Sequence, residues 1–116
     1  MARASMQTFA FTTRLVAGRE RAYEQFHRSI PAALHRAMQD AGVVGWRIHR
    51  DGATLTHVVE ARDRVRMEAQ LSADPVNLAW QEQVAPFLAS AESGTVAAPP
   101  PADAGALIWD FSWPTR

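Results

Sequence analysis

The sequence predicts an α+β domain in which an antiparallel sheet carries its helices on one face, the βαββαβ order of a ferredoxin-like fold. Three observations predict it. An alternating segment at 7–15 leads into helical periodicity over 19–41. Two further alternating segments are joined by Asp51-Gly52. An Asp74-Pro75 helix start is followed, after a Pro- and Ala-rich stretch, by a last alternating aromatic run.

In residues 7–15, Phe9, Phe11 and Leu15 alternate with Thr8, Ala10, Thr12 and Arg14, a period near two that marks a strand. Beyond Gly18, Ala22, Phe26, Ile30, Ala33, Leu34, Ala37 and Ala41 recur at helical spacing, and Gly42 is placed to stop the helix. Pro31 lies inside this stretch and cannot donate to the carbonyl of His27, so a kink or break is expected there. Segments 43–50 and 53–61 read as a hairpin across Asp51-Gly52. Pairing Arg50 with Ala53 sets Ile48 opposite Leu55, Trp46 opposite His57 and Val44 opposite Val59, and makes these six the face to bury. A short helix is expected over 63–71 with Val65, Met67 and Leu71 inward. A second runs from Asp74, its cap, to about Ala89 with Val76, Trp80, Val84 and Leu88 aligned, unless Pro86 closes it early. Residues 90–105 read as a linker or long surface loop, and 106–113 as a closing strand with Leu107, Trp109, Phe111 and Trp113 alternating. Helices on one face leave the other face of the sheet to be covered, and pairing two sheets across a two-fold axis would cover it, so a homodimer is expected.

The bulk numbers narrow the function classes. With 116 residues, 47% of them hydrophobic, the chain suits one globular domain spanning 1–116. A formal net charge of +0, with twelve basic side chains scattered without a dense run, argues against nucleic acid and anionic membrane as partners. The absence of cysteine excludes disulfides, thiolate metal sites and cysteine nucleophiles. No pair of His and carboxylate residues has zincin spacing, no Gly-rich phosphate loop occurs, and no G-x-S-x-G elbow is present. Met1 to Gln7 lack the apolar core of a signal peptide and no stretch approaches a membrane span, so a cytoplasmic protein is expected by default.

The candidate chemistry lies on the first helix and the hairpin. Tyr23 and His27 are four residues apart on one helix face, at the edge of the apolar stripe. An imidazole there faces the core layer and suits proton transfer at neutral pH; the plain alternative is a packed His and a packed Tyr. Trp46 and His57 are expected as cross-strand neighbours facing the helices, either as a platform for a sugar ring or as core. His57, turned inward, needs a hydrogen-bond partner. Trp80 alone reads as core, and His35 and His49 fall on polar faces and read as surface residues.

The element order, together with Tyr23-Glu24-Gln25-Phe26-His27, resembles the L-rhamnose mutarotase family. The likeness continues through Leu34, Gly42, Trp46-Arg47-Ile48, Val59-Glu60, Asp74 to Trp80 and the aromatic strand Trp109 to Phe111. The resemblance implies a dimeric α+β barrel, a cytoplasmic enzyme without metal or organic cofactor, and interconversion of the α and β anomers of L-rhamnose. It also implies His27 as the catalytic histidine, Tyr23 as a sugar-binding tyrosine, Trp46 at the place of a sugar-contacting tyrosine and Trp80 as the second member of a Trp-Trp pair. The sequence departs from the family in three places: the first Trp of that pair is Ala79, the Trp-Pro-Glu after the histidine is Pro31-Ala32-Ala33, and the hairpin at Asp51-Gly52 is shorter.

The expected function is therefore an aldose mutarotase using general acid/base catalysis, with a small monosaccharide as substrate, His27 as acid/base, and Tyr23, Trp46, Trp80 and His57 around the sugar. His57 and Asp110 are the candidates for a second proton-transfer group. Alternatives are a non-catalytic sugar-binding or regulatory module, a different enzyme on the same barrel such as a cofactor-free monooxygenase or a haem-handling protein, and a purely structural dimer domain.

Overall fold

The computed structural model describes residues 6–90, 95–96 and 104–116. The strands are β1 (Gln7–Leu15), β2 (Val43–Asp51), β3 (Thr54–Ala61), β4 (Leu88–Ser90), β5 (Thr95–Val96) and β6 (Ala106–Asp110). The helices are α1 (Glu20–His27), α2 (Ala32–Asp40), α3 (Arg64–Ala73) and α4 (Pro75–Val84). The strands form one antiparallel sheet in the order β4-β1-β3-β2-β6, with β5 also on β1. Its first four strands lie in the ferredoxin-like order, but the fourth place is taken by Leu88–Ser90 and not by the closing strand that the sequence predicts there.

Pro31 breaks the helical stretch into α1 and α2 instead of kinking it. The break leaves carbonyls that no helix N–H reaches, and Arg116 takes them. Its guanidinium donates to the carbonyls of Phe26 and Ser29, and its main-chain N–H to that of Ile30 at 2.9 Å. Gly42, at φ +96°, ends α2 as expected. Asp74 caps α4 by accepting from the N–H groups of Val76 at 2.8 Å and Asn77 at 3.3 Å, with Pro75 at the first turn.

Several sequence expectations are corrected. The hairpin turns at Gly52-Ala53, with Asp51 opposite Thr54, so the register slips by two residues from the expected one. Ile48 lies opposite His57 and Trp46 opposite Val59. A shift of two keeps every side chain on its face, so Trp46 and His57 still share a surface, now as diagonal neighbours. An irregularity between Val43 and Gly45 buries Val43 and leaves Val44 exposed. Val65 points outward on α3. The last helix stops at Val84; a 3₁₀ turn through Pro86 follows, and Leu88 belongs to a strand. Within the expected 90–105 loop, Ser90 and Thr95–Val96 pair with β1, while 91–94 and 97–103 lie outside the described residues. The last strand ends at Asp110 and pairs with β2, at the sheet edge opposite β4.

The core lies between the sheet and the helices, where Leu15, Tyr23, Ile30, Leu34, Ile48 and Leu55 are almost wholly buried. On the far face of the sheet Ala10, Thr56 and Val58 are buried as well. Among the described residues no helix is long and apolar enough to cross a membrane.

Candidate functional site: a cavity between helices and sheet

A cavity of about 290 Å³ opens between the sheet and the helices. Tyr23 and His27 of α1 and Trp80 of α4 line its roof. Thr13, Trp46, His57 and Trp109 line its floor. The four aromatic and imidazole side chains singled out from the sequence, with His57, are therefore brought to one space.

Tyr23 and His27 reach it because α1 turns the face they share toward the sheet; both are buried, more deeply than Ala22 and Phe26 of the expected stripe. The His27 ring is T-shaped to Trp80 at 5.3 Å and to Trp109 at 4.8 Å between centroids. Its Nδ1 is the single buried side-chain nitrogen or oxygen among the described residues that lacks a hydrogen-bond partner. Burial holds the His27 pKa down at about 4; its own main chain acts in the opposite direction without completing a hydrogen bond, and the positive charge of Arg116 lowers it further. The imidazole is neutral at ordinary pH. Burial pushes the Tyr23 hydroxyl well above the ordinary tyrosine range, so it stays protonated.

His57 is wired differently. Trp46 Nε1 donates to its Nδ1 at 3.2 Å, and its Nε2 lies 3.1 Å from Thr13 Oγ1. Phe11 stacks on it at 4.5 Å with 6° between the planes. Burial, then the neighbouring His27, lower its pKa to about 3.

The other candidates lie elsewhere. Asp110 is not in the cavity wall; its carboxylate accepts from the N–H and hydroxyl of Ser112 at 2.9 and 2.8 Å. His35 and His49 are half-buried, not free surface residues: His35 stacks on Phe111 and bonds its carbonyl at 2.9 Å, and His49 bonds the Gly105 carbonyl at 3.2 Å. Ala79 and Ala33, where the sequence departs from the family, are both exposed. Ala79 faces a separate groove between α2 and α4. Sequence reasoning missed Thr13. The signal was present: between Phe11 and Leu15 it occupies the inward phase of β1, a polar residue where an apolar one is due. Among the described residues no three His, Asp or Glu side chains are gathered as a metal site.

The L-rhamnose mutarotase family model matches residues 8–104. The chain belongs to that family. A comparison with curated sequences finds no match. Among solved structures, the fold is similar to an L-rhamnose mutarotase from Formosa agariphila, at 20% identity and a TM-score of 0.67, over 78% of this chain and 93% of that one. It is also similar to a putative antibiotic biosynthesis monooxygenase from Nitrosomonas europaea, at 14% identity and 0.58, over 87% and 97%. A NIPSNAP-like domain protein from Burkholderia xenovorans shares the fold at 19% identity and 0.57, over 85% and 92%. These likenesses speak for the fold; membership of the mutarotase family supports a carbohydrate-modifying enzyme.

Proposed function

We propose that the protein is an aldose mutarotase that interconverts the α and β anomers of L-rhamnose or a closely related monosaccharide, with His27 as the acid/base. The observation that carries this reading is the buried, neutral His27 imidazole, set against Trp80 and Trp109 in the wall of an otherwise largely apolar cavity. Its Nδ1 is buried without a partner, which is costly, and a turn of the ring toward the cavity would let a sugar hydroxyl supply one. The volume, near the lower end of the ~300–1,000 Å³ typical of ligand sites, suits one small molecule.

The chemistry needs one proton moved between two oxygens of the sugar. Neutral His27 takes the proton from the anomeric hydroxyl. The bond from the anomeric carbon to the ring oxygen breaks as the aldehyde forms, and His27 returns the proton to that oxygen. Rotation about the bond from the anomeric carbon to its neighbour and reversal of the steps give the other anomer. No electron carrier enters the balance. Acid/base catalysis of this kind is worth ~10²–10⁴-fold, about 3–5 kcal/mol. The proposed supporting roles are Tyr23 as a hydroxyl partner for the sugar and Trp46 and Trp80 as walls that hold the ring and exclude water. Ala79 and Ala33 are exposed and lie outside the cavity lining, so these departures from the family give no support to a bare binding module.

A homodimer in the cytoplasm is part of the same proposal. The exposed Leu107, on the sheet face turned away from the helices, is consistent with such pairing, and sedimentation equilibrium checks it. The test of function is anomer exchange by NMR saturation transfer with L-rhamnose, L-fucose and other aldoses. Exchange accelerated by the wild type and lost in His27→Ala is the expected result. No acceleration with any sugar would sink the reading.

A further inference from the structure

His57 is buried, titratable and unused by the mechanism above, and its hydrogen bonds have a direction that follows from chemistry alone. An indole Nε1 can only donate. Its bond to His57 Nδ1 at 3.2 Å therefore requires that nitrogen to be bare. A neutral imidazole then carries its one proton on Nε2. That proton points at Thr13 Oγ1, 3.1 Å away, so the Thr13 oxygen accepts. The hydroxyl keeps its own proton, which cannot be directed back at His57 and has no other acceptor among the described residues. Thr13 lines the cavity.

The geometry points to Thr13 as the group on the cavity floor that donates a hydrogen bond to an oxygen of the bound sugar, with Trp46 and His57 as positioning residues that fix the sense of that bond. This rests on the mutarotase reading for the identity of the ligand. The three residues run across three adjacent strands, β2, β3 and β1, on one face. Phe11, stacked on the imidazole, holds the ring in its plane. A chain of bonds all pointing one way polarises each member, so the last donor is stronger than an isolated hydroxyl.

The chain is not a proton relay. If Thr13 gave up its proton, His57 could replace it from Nε2, but the indole beyond has no proton to give at accessible pH. Thr13 therefore holds and polarises an oxygen while His27, on the opposite wall, moves the proton. A donor aimed at the oxygen that gains charge as the ring opens acts more strongly in the transition state than before it.

Two measurements test this on the full chain. The first needs no sugar. Long-range ¹H–¹⁵N correlation spectra of histidine-labelled protein should show His57 with bare Nδ1 and protonated Nε2 throughout about pH 5 to 8, the window in which an ordinary histidine titrates. Trp46→Phe removes the donor that fixes the tautomer and should shift His57 toward the Nδ1-protonated form. A wild-type His57 protonated on Nδ1, or on both nitrogens, overturns the donor chain whatever the sugar results.

The second is anomer exchange with L-rhamnose and L-fucose as probes. Thr13→Val keeps shape and strand preference but removes the hydroxyl. It should lose about tenfold or more in kcat/KM, the weight of one hydrogen bond. Thr13→Ser, which restores the hydroxyl, should recover most of that loss. The Thr13→Val protein should retain the bare-Nδ1 tautomer, because Trp46 is untouched. Equal activity of Thr13→Val and wild type overturns the contact. A wild type inert toward every sugar overturns the proposed function and the sugar contact together, whereas an active wild type with an unaffected Thr13→Val removes the Thr13 contact alone.

Discussion

His27 and His57 are the same residue type, both buried, on opposite walls of one cavity, and they differ in how their ring nitrogens are engaged. His57, on the floor, has both nitrogens engaged and a phenyl ring stacked on its face. His27, on the roof, makes T-shaped contacts with two indoles and keeps a buried nitrogen with no partner. Burial alone does not tell the two imidazoles apart. The separation lies in what each nitrogen still lacks. A fully bonded imidazole is held in place by its partners; one with an unpartnered nitrogen is freer to turn, which fits the proton-transfer role proposed for His27.

The sharpest way to break that contrast is to exchange the two losses. His27→Gln should cut anomer exchange by ~10²–10⁴-fold and leave the fold and melting temperature near wild type, measured by saturation transfer beside circular dichroism. His57→Leu should lower stability and, by releasing Thr13, reduce anomer exchange far less than His27→Gln does. It strands the Trp46 indole N–H without an acceptor, at a cost of about 1–3 kcal/mol read from urea unfolding midpoints. If His57→Leu proved as stable as wild type, the floor would not be the committed wall.

Acidification probes both residues at once. Both folded pKa values, about 4 and about 3, lie below the ordinary ~6.5 of a histidine in the unfolded chain. Above about pH 6.5 both states are neutral and pH has no leverage through these groups. As pH falls below that, the unfolded chain takes up protons that the folded one declines, so stability should drop by several kcal/mol toward pH 4 to 3. Anomer exchange should stay nearly flat down to about pH 5 and then fall as His27 charges. An exchange rate that halves near pH 6.5 would mean a solvated, ordinary His27. The smallest effect is expected from Tyr23→Phe, which keeps the ring and loses one hydroxyl: a few-fold loss in sugar affinity, measured by titration, and little change in stability.

How much of this could be read in the sequence depends on the range over which each feature is determined. The span of β1, the interruption at Pro31 and the Asp74 cap follow from residues within a turn of each other, and they are where the sequence puts them. Tyr23 and His27 share a face because four residues on a helix make them do so. The hairpin register was not legible, because Gly52 can serve as either member of a two-residue turn, and the two choices keep the same faces. The location of the closing strand is a long-range matter. Nothing within Ala106–Asp110 says that it will lie beside β2, at the sheet edge opposite β4. Thr13 was hidden because threonine counts as polar in an alternation, although its inward phase between Phe11 and Leu15 was visible. The difference in the bonding of His57 and His27 required the third dimension, since it depends on which neighbours reach which nitrogen.

Three of the four tryptophans, Trp46, Trp80 and Trp109, line the cavity. Two of them lie within 5.3 Å of the His27 ring, centroid to centroid. The molecule thus contains its own optical gauge. A ligand that displaces water from these indoles should shift and brighten the ultraviolet emission, and a charged imidazolium beside them should quench it. Occupancy of the cavity and the protonation of His27 can then be followed by intrinsic fluorescence, with no label and no turnover.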